Sequence, residues 1–82
     1  MPTVLRRYGY RFHFYGSDMN EPPHIHVSGH GAQAKIWLEP IVLAEEKGFK
    51  ASDLKRILSV ASEEKQSFLE AWDDFFRSLS GK

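Results

Sequence analysis

Two imidazoles two residues apart, His24 and His26, directly follow the prolines Pro22 and Pro23, and a third, His13, stands in an alternating stretch upstream. Imidazole binds metals and moves protons near neutral pH. Three histidine nitrogens with an open fourth position form a donor set typical of catalytic zinc. His13, His24 and His26 are therefore candidate ligands for a divalent ion such as zinc. Glu21 or Glu39 is a candidate further ligand, Glu21 foremost, or a carboxylate that orients an imidazole. The same residues allow a different chemistry, cleavage of a phosphodiester without metal. His26 and His13 would exchange the acid and base roles, Arg11 or Lys35 would hold the phosphate, and Tyr15 or Trp37 would stack a base. A third reading has no chemistry: the face recognises another protein and its histidines tune the contact. The plainest alternative is a solvated sheet face on which histidines stack with Tyr15 and Trp37.

Each reading needs the three histidines on one surface, and the flanking pattern says how. The two prolines fix φ and remove two backbone donors, so residues 21–23 lead into a strand and do not pair within one. From His24 onward, alternation sends His24 and His26 to one face and Ile25 and Val27 to the other. Tyr10 to Tyr15 alternates as well, with Tyr10, Phe12 and Phe14 opposed to Arg11, His13 and Tyr15. A hairpin joining the two stretches must bring their apolar faces together. Phe14 then pairs with Ile25 and Phe12 with Val27, which sets His13 opposite His26, Tyr15 opposite His24 and Arg11 opposite Ser28.

Other strands follow on either side. Thr3 to Arg7 reads as an edge strand, closed by a tight turn at Tyr8-Gly9. Gly16 to Asn20 reads as a loop. Gly29-His30-Gly31 is a turn, and His30 has no assigned role. Ala32 to Glu39 alternates, placing Ala34, Ile36 and Leu38 on the apolar face and Lys35, Trp37 and Glu39 with the histidines. Ile41 to Phe49 fits either a short helix closed by Gly48 or a brief fifth strand.

Ser52 is a candidate N-cap, with Asp53 in the first turn, for a helical segment reaching Leu79. Its apolar stripe runs Leu54, Ile57, Leu58, Ala61, Phe68, Leu69, Trp72, Phe75, Phe76 and Leu79, with a gap at Lys65. Unbroken, it would be about 40 Å long against about 20 Å for a six-residue strand. Either Ser59–Ser62 breaks it, with Ser62 capping a second helix, or its aromatic end meets another chain; the Trp72, Phe75, Phe76 cluster suits a dimer or partner surface, but the ordinary preference of these residues for interiors favours the protein's own core. The pattern as a whole predicts an α+β fold: an antiparallel meander of three or four strands with one long or broken C-terminal helix packed on one face.

Composition narrows the classes. Eighty-two residues with 41% hydrophobic and 13% aromatic content suit a single domain that folds. The absence of cysteine excludes disulfides and thiolate-bound zinc. With no export leader and no apolar run near ~18 residues, the chain reads as cytoplasmic and membrane-free. Lys plus Arg equals Asp plus Glu at 11 each, which provides no global field for nucleic acid. Arg6, Arg7 and Arg11 read as solvated charges on an edge. Glu45-Glu46, Glu63-Glu64 and Asp73-Asp74 read as outer faces of helices.

The string Glu21-Pro22-Pro23-His24-Ile25-His26-Val27 is accompanied by an opening Met1-Pro2-Thr3, by Ala34-Lys35-Ile36-Trp37-Leu38-Glu39-Pro40 and by Gly48-Phe49 before the long helix. In these features, nearly end to end, the chain resembles a family of small prokaryotic proteins classed as a domain of unknown function. The resemblance implies an encoded neighbour, a second small protein in a toxin–antitoxin-like arrangement, which would be the binding partner; a homodimer is a further expectation. It implies no particular reaction. One departure lies before Glu21, where relatives tend to be acidic and this chain has Ser17-Asp18-Met19.

Overall fold

A computed structural model describes residues 3–15 and 20–79, with the side chains of residues 3, 78 and 79 excepted. Residues 16–19 of the loop expected at Gly16 to Asn20, with its departure from the family, and the opening residues 1 and 2 lie outside the described residues. Five strands run in order as an antiparallel meander: β1 Thr3–Arg7, β2 Tyr10–His13, β3 His24–Gly29, β4 Ala32–Leu38 and β5 Ile41–Lys47. Two helices follow, α1 Ala51–Glu63 and α2 Lys65–Leu79. The fold class is the α+β one expected, but the sheet has five strands, not three or four, because Ile41 onward is a strand. Glu45 and Glu46 therefore lie on a sheet and not on a helix.

Two of the connections are two-residue turns with both residues in the left-handed region. They are Tyr8-Gly9 (φ 59° and 82°) and His30-Gly31 (φ 52° and 77°), and this geometry matches the twist of the strands it joins. Between β4 and β5 the Glu39–Pro40 peptide is cis, as in type VI turns. Gly29 is required for another reason. A Cβ there would stand 2.7 Å from the Gly9 carbonyl oxygen, so the first hairpin can cross β3 only over a residue without a side chain.

The register is fixed by the apolar face. Phe12 pairs with Val27, His13 with His26 and Arg11 with Ser28, as the alternation predicts. The β2 ladder ends at His13, however, so the expected Phe14–Ile25 and Tyr15–His24 pairs are not part of it. Lacking N–H groups, the two prolines still contribute a carbonyl: Pro23 O accepts from Leu38 N at 3.0 Å.

Both helices cover the face carrying Phe12, Ile25, Val27 and Ile36. Ile57, Val60 and Ala61 of α1 and Phe68, Trp72 and Phe76 of α2 are buried there. Phe68 stacks on Phe12 with centroids 5.5 Å apart, and Trp72 meets Phe14 edge-on at 5.4 Å. The aromatic end of the helical segment thus belongs to the protein's own core. The break falls at Glu64, just beyond the expected Ser59–Ser62. Glu64 N donates to Val60 O at 2.9 Å and its carbonyl accepts from Phe68 N at 2.8 Å, which spans the kink. Arg7 fastens β1 to this junction through Glu63 (3.4 Å) and Glu64 (3.1 Å). Ser52 is not the N-cap. Lys50 is, and Asp53 accepts its backbone N–H at 3.4 Å. Among the described residues, no helix is long and apolar enough to cross a membrane.

Candidate functional site

Because the helices take one face, the other carries the complementary positions of every strand. Directly opposed residues share a face, so the register defines rows across the sheet. His13, His26, Lys35 and Glu45 form one row over β2 to β5. Two residues along the strands, Ser28, Gln33 and Lys47 belong to the next. These two rows, with Tyr15 at one end, line a groove of about 580 Å³.

His13 is buried, at 1% exposure. Its Nδ1 lies 3.3 Å from the Arg11 carbonyl oxygen, which can only accept, so Nδ1 carries the proton of the neutral ring. Nε2 then accepts from the Tyr15 hydroxyl at 3.2 Å. Tyr15 is 38% exposed and also meets His26 at 4.4 Å. His13 and His26 stack with centroids 5.8 Å apart and planes inclined by 25°. This set can pass a proton between the groove and a buried base by way of a phenol.

His24 departs from expectation. Alternation assigns it to the open face, but it is fully buried, against Trp37 at 5.4 Å, Trp72 at 5.1 Å and His26 at 5.0 Å. Trp72 of α2 reaches it where the β2 ladder has stopped. Nδ1 of His24 donates to the Pro22 carbonyl at 3.0 Å, so this ring buttresses the proline segment. Glu21 binds Lys35 Nζ at 2.6 Å and passes His24 Nδ1 at 3.8 Å.

The donor set proposed for a metal, His13, His24, His26 and Glu21, is brought together in space without the geometry of a metal centre. Among the described residues, no three of His, Cys, Asp and Glu are placed to hold an ion. The reasons are local: His13 and His26 stack face to face, the Nδ1 atoms of His13 and His24 are turned to backbone carbonyls, and Glu21 serves Lys35. Of the other residues singled out by type, Lys35 and Tyr15 reach the groove, whereas Arg11 and Trp37 do not line it. Trp37 is covered by the Lys35 ammonium, 4.6 Å from its ring centroid. Glu39 is exposed in the β4–β5 turn. Gln33, Glu45 and Lys47 complete the groove and were not legible as site residues. Ala44 is an extra residue opposite the Lys35–Ile36 step, and it breaks the alternation that would have assigned Glu45 and Lys47 to a face.

A second polar cluster lies at the far end of β3, on the helix side. Tyr10 is buried and donates to Asp53 Oδ1 at 2.6 Å, while His30 stands edge-on to its ring at 5.4 Å. The bond to Asp53, then burial, then the carboxylate's charge push the Tyr10 hydroxyl above its ordinary pKa. That same bond holds the Asp53 carboxyl below the usual range against an opposing effect of burial, helped by Lys50's backbone N–H and the charge of His30. His30 is thus placed well away from the other three histidines, as a cover for this structural pair.

No curated protein and no solved structure matches the chain. A family model does match, over residues 9–73. That span runs from the first turn to the middle of α2 and takes in the whole histidine groove, so the chain belongs to the family described as Domain of unknown function (DUF4160).

Proposed function

We propose that the protein is a cytoplasmic interaction module of a two-gene, toxin–antitoxin-like system, folded as a single domain. The partner's strand extends the sheet at the outer edge of β5, and the groove on the open face holds a ligand. One observation carries this reading: both helices pack on the same face, which leaves the other face and the β5 edge uncovered among the described residues. Strand addition needs an unpaired edge for main-chain hydrogen bonds and side-chain contacts for specificity, and on β5 Val42 is 47% exposed. Co-expression with the protein encoded alongside tests it. The two should co-elute, and Val42→Lys, which sets a charge on the edge, should abolish co-elution while leaving the circular dichroism spectrum unchanged. A chain that elutes alone when co-expressed sinks the reading.

The stacking of His13 and His26 favours a second reading, metal-independent cleavage of RNA. His26 is the half-buried member that can meet substrate, and His13 acts through Tyr15. Arg11 and Lys35 are its phosphate-holding candidates; the ion pair of Lys35 with Glu21 makes Arg11 the better of the two. Growth arrest on expression, relieved by His26→Ala in a protein that still folds, supports this reading. Harmless expression defeats it.

A further inference from the structure

The register aligns a third set of residues that the chain scatters from Arg6 to Lys47. Arg6 on β1 faces Arg11 on β2, Arg11 faces Ser28 on β3, Ser28 faces Gln33 on β4, and Gln33 faces Lys47 on β5. This row crosses the whole open face, about 19 Å at the usual strand spacing. It holds three cations, a hydroxyl and an amide, and no carboxylate.

Arg7, Lys35 and Arg77 all have carboxylate partners. Arg6, Arg11 and Lys47 have none among the described residues, and the buried Nε of Arg11 has no hydrogen-bond acceptor there. Like charges directly opposite each other on neighbouring strands are destabilising, so the Arg6–Arg11 pair costs stability until an anion bridges it. One row away, about 7 Å by the rise of two strand residues, stands His26, and the partly exposed ring of Tyr15 lies against it on the side away from the cations, with centroids 4.4 Å apart.

We propose that this row is a binding site for the backbone of a single-stranded nucleic acid, with a base resting on Tyr15 and His26. A line of cations flanked by an exposed ring fits a strand whose phosphates and planar bases run side by side. An acidic peptide offers a planar ring only where an aromatic side chain happens to fall, whereas every nucleotide carries a base beside its phosphate. The balanced total charge is no obstacle, because the row is a local stripe and Glu45 and Glu46 fall outside it.

The site rests on reading the open face as a ligand surface, and it is tested independently of the partner protein. Fluorescence anisotropy with labelled RNA and DNA strands of about a dozen nucleotides, titrated with the full chain between about 20 and 200 mM salt, reads it directly. Three phosphate contacts to a single strand predict a slope of log K against log salt of about −2. Arg6→Ala with Lys47→Ala, both at exposed positions, should bring the slope to about −0.7 and weaken binding at least about tenfold at low salt. Adding Arg11→Ala should flatten it further, and Tyr15→Ala should weaken binding without changing the slope. Lys50→Ala with Lys55→Ala, outside the row, should leave both readings as they were.

Binding of either RNA or DNA single strands with this pattern supports the site. Absence of binding at the lowest salt, an equal loss in the Lys50, Lys55 variant, or tighter binding of the duplex than of the single strand overturns it. If the partner protein fails to co-elute while oligonucleotide binding persists, the module reading falls and this one stands. The reverse result removes only the nucleic-acid site.

Discussion

Two adjacent rows of the same sheet, one residue apart along the strands, have opposite environments. Phe12, Val27 and Ala34 face one another across three strands and are all but fully buried beneath the helices. His13, His26 and Lys35 face one another across the same strands on the reverse side, where a groove opens. The first row is closed by residues distant in sequence, above all Phe68. The second is closed only in part, by rings of its own face. Stability is therefore concentrated on one side of the sheet, and the capacity to bind on the other.

The largest test of that division is Phe12→Ala. Removing a ring that is 0% exposed should cost about 3–5 kcal/mol, read as a shift of the urea midpoint. In the next row His26→Ala should cost no more than about 1 kcal/mol. Equal costs would mean that the open face is a second core.

Gly29→Ala comes next. The added methyl meets the backbone oxygen of Gly9 and the Tyr10 ring, and crowding of this kind costs about 1–3 kcal/mol. The loss should come from the first hairpin shifting over β3, so amide exchange should quicken at Tyr10 and Gly29 before it does in the helices. A variant as stable as the parent would show that the crossing has room to spare.

Tyr10→Phe separates the two tyrosines by pH. Asp53 is held below its ordinary value of 3.8, so its contribution is present above that value and lost as pH falls through the lower folded one. Tyr10 is raised above 10.0, so its contribution is complete below pH 10 and lost as pH rises through the higher folded value. Thermal melts of Tyr10→Phe should lie several degrees lower across the neutral range and converge with the parent below pH 3.8. Tyr15→Phe, whose hydroxyl meets a groove histidine, should show no such convergence. Parallel melting curves for Tyr10→Phe and its parent throughout the acid range would remove Asp53 from the pair.

How much of this was legible in the sequence depends on how far apart the deciding residues lie. The pairing of His13 with His26 follows from two alternating stretches and two prolines, all within 21–28 and 10–15, and it holds. The burial of His24 depends on Trp72 of α2, which local alternation knows nothing about. The fifth strand stayed one of two alternatives, beside a short helix, because Ile41-Val42-Leu43-Ala44 is continuously apolar and because the bulge at Ala44 shifts Glu45 and Lys47 by one position. The cationic row was hidden by that bulge, since the face of its last member, Lys47, depends on it.

The smallest effect expected is at the Lys35–Glu21 pair, and it tests whether the open face is poised for a ligand or locked by its own contacts. Glu21 is 44% exposed and Lys35 15%, so solvent screens the charges and a coupling of at most about 1 kcal/mol is expected. Lys35→Met preserves the stem over Trp37 and removes only the charge; Glu21→Gln preserves the length of its partner. Melts of the two single variants and the double variant give the coupling directly. A value within that bound leaves Lys35 able to exchange Glu21 for an anionic ligand at little cost. A coupling well above it would make the pair a clasp, tying the Pro22-Pro23 segment to β4 alongside the Pro23–Leu38 hydrogen bond. The histidine row beneath would then belong to the structure and not to a site.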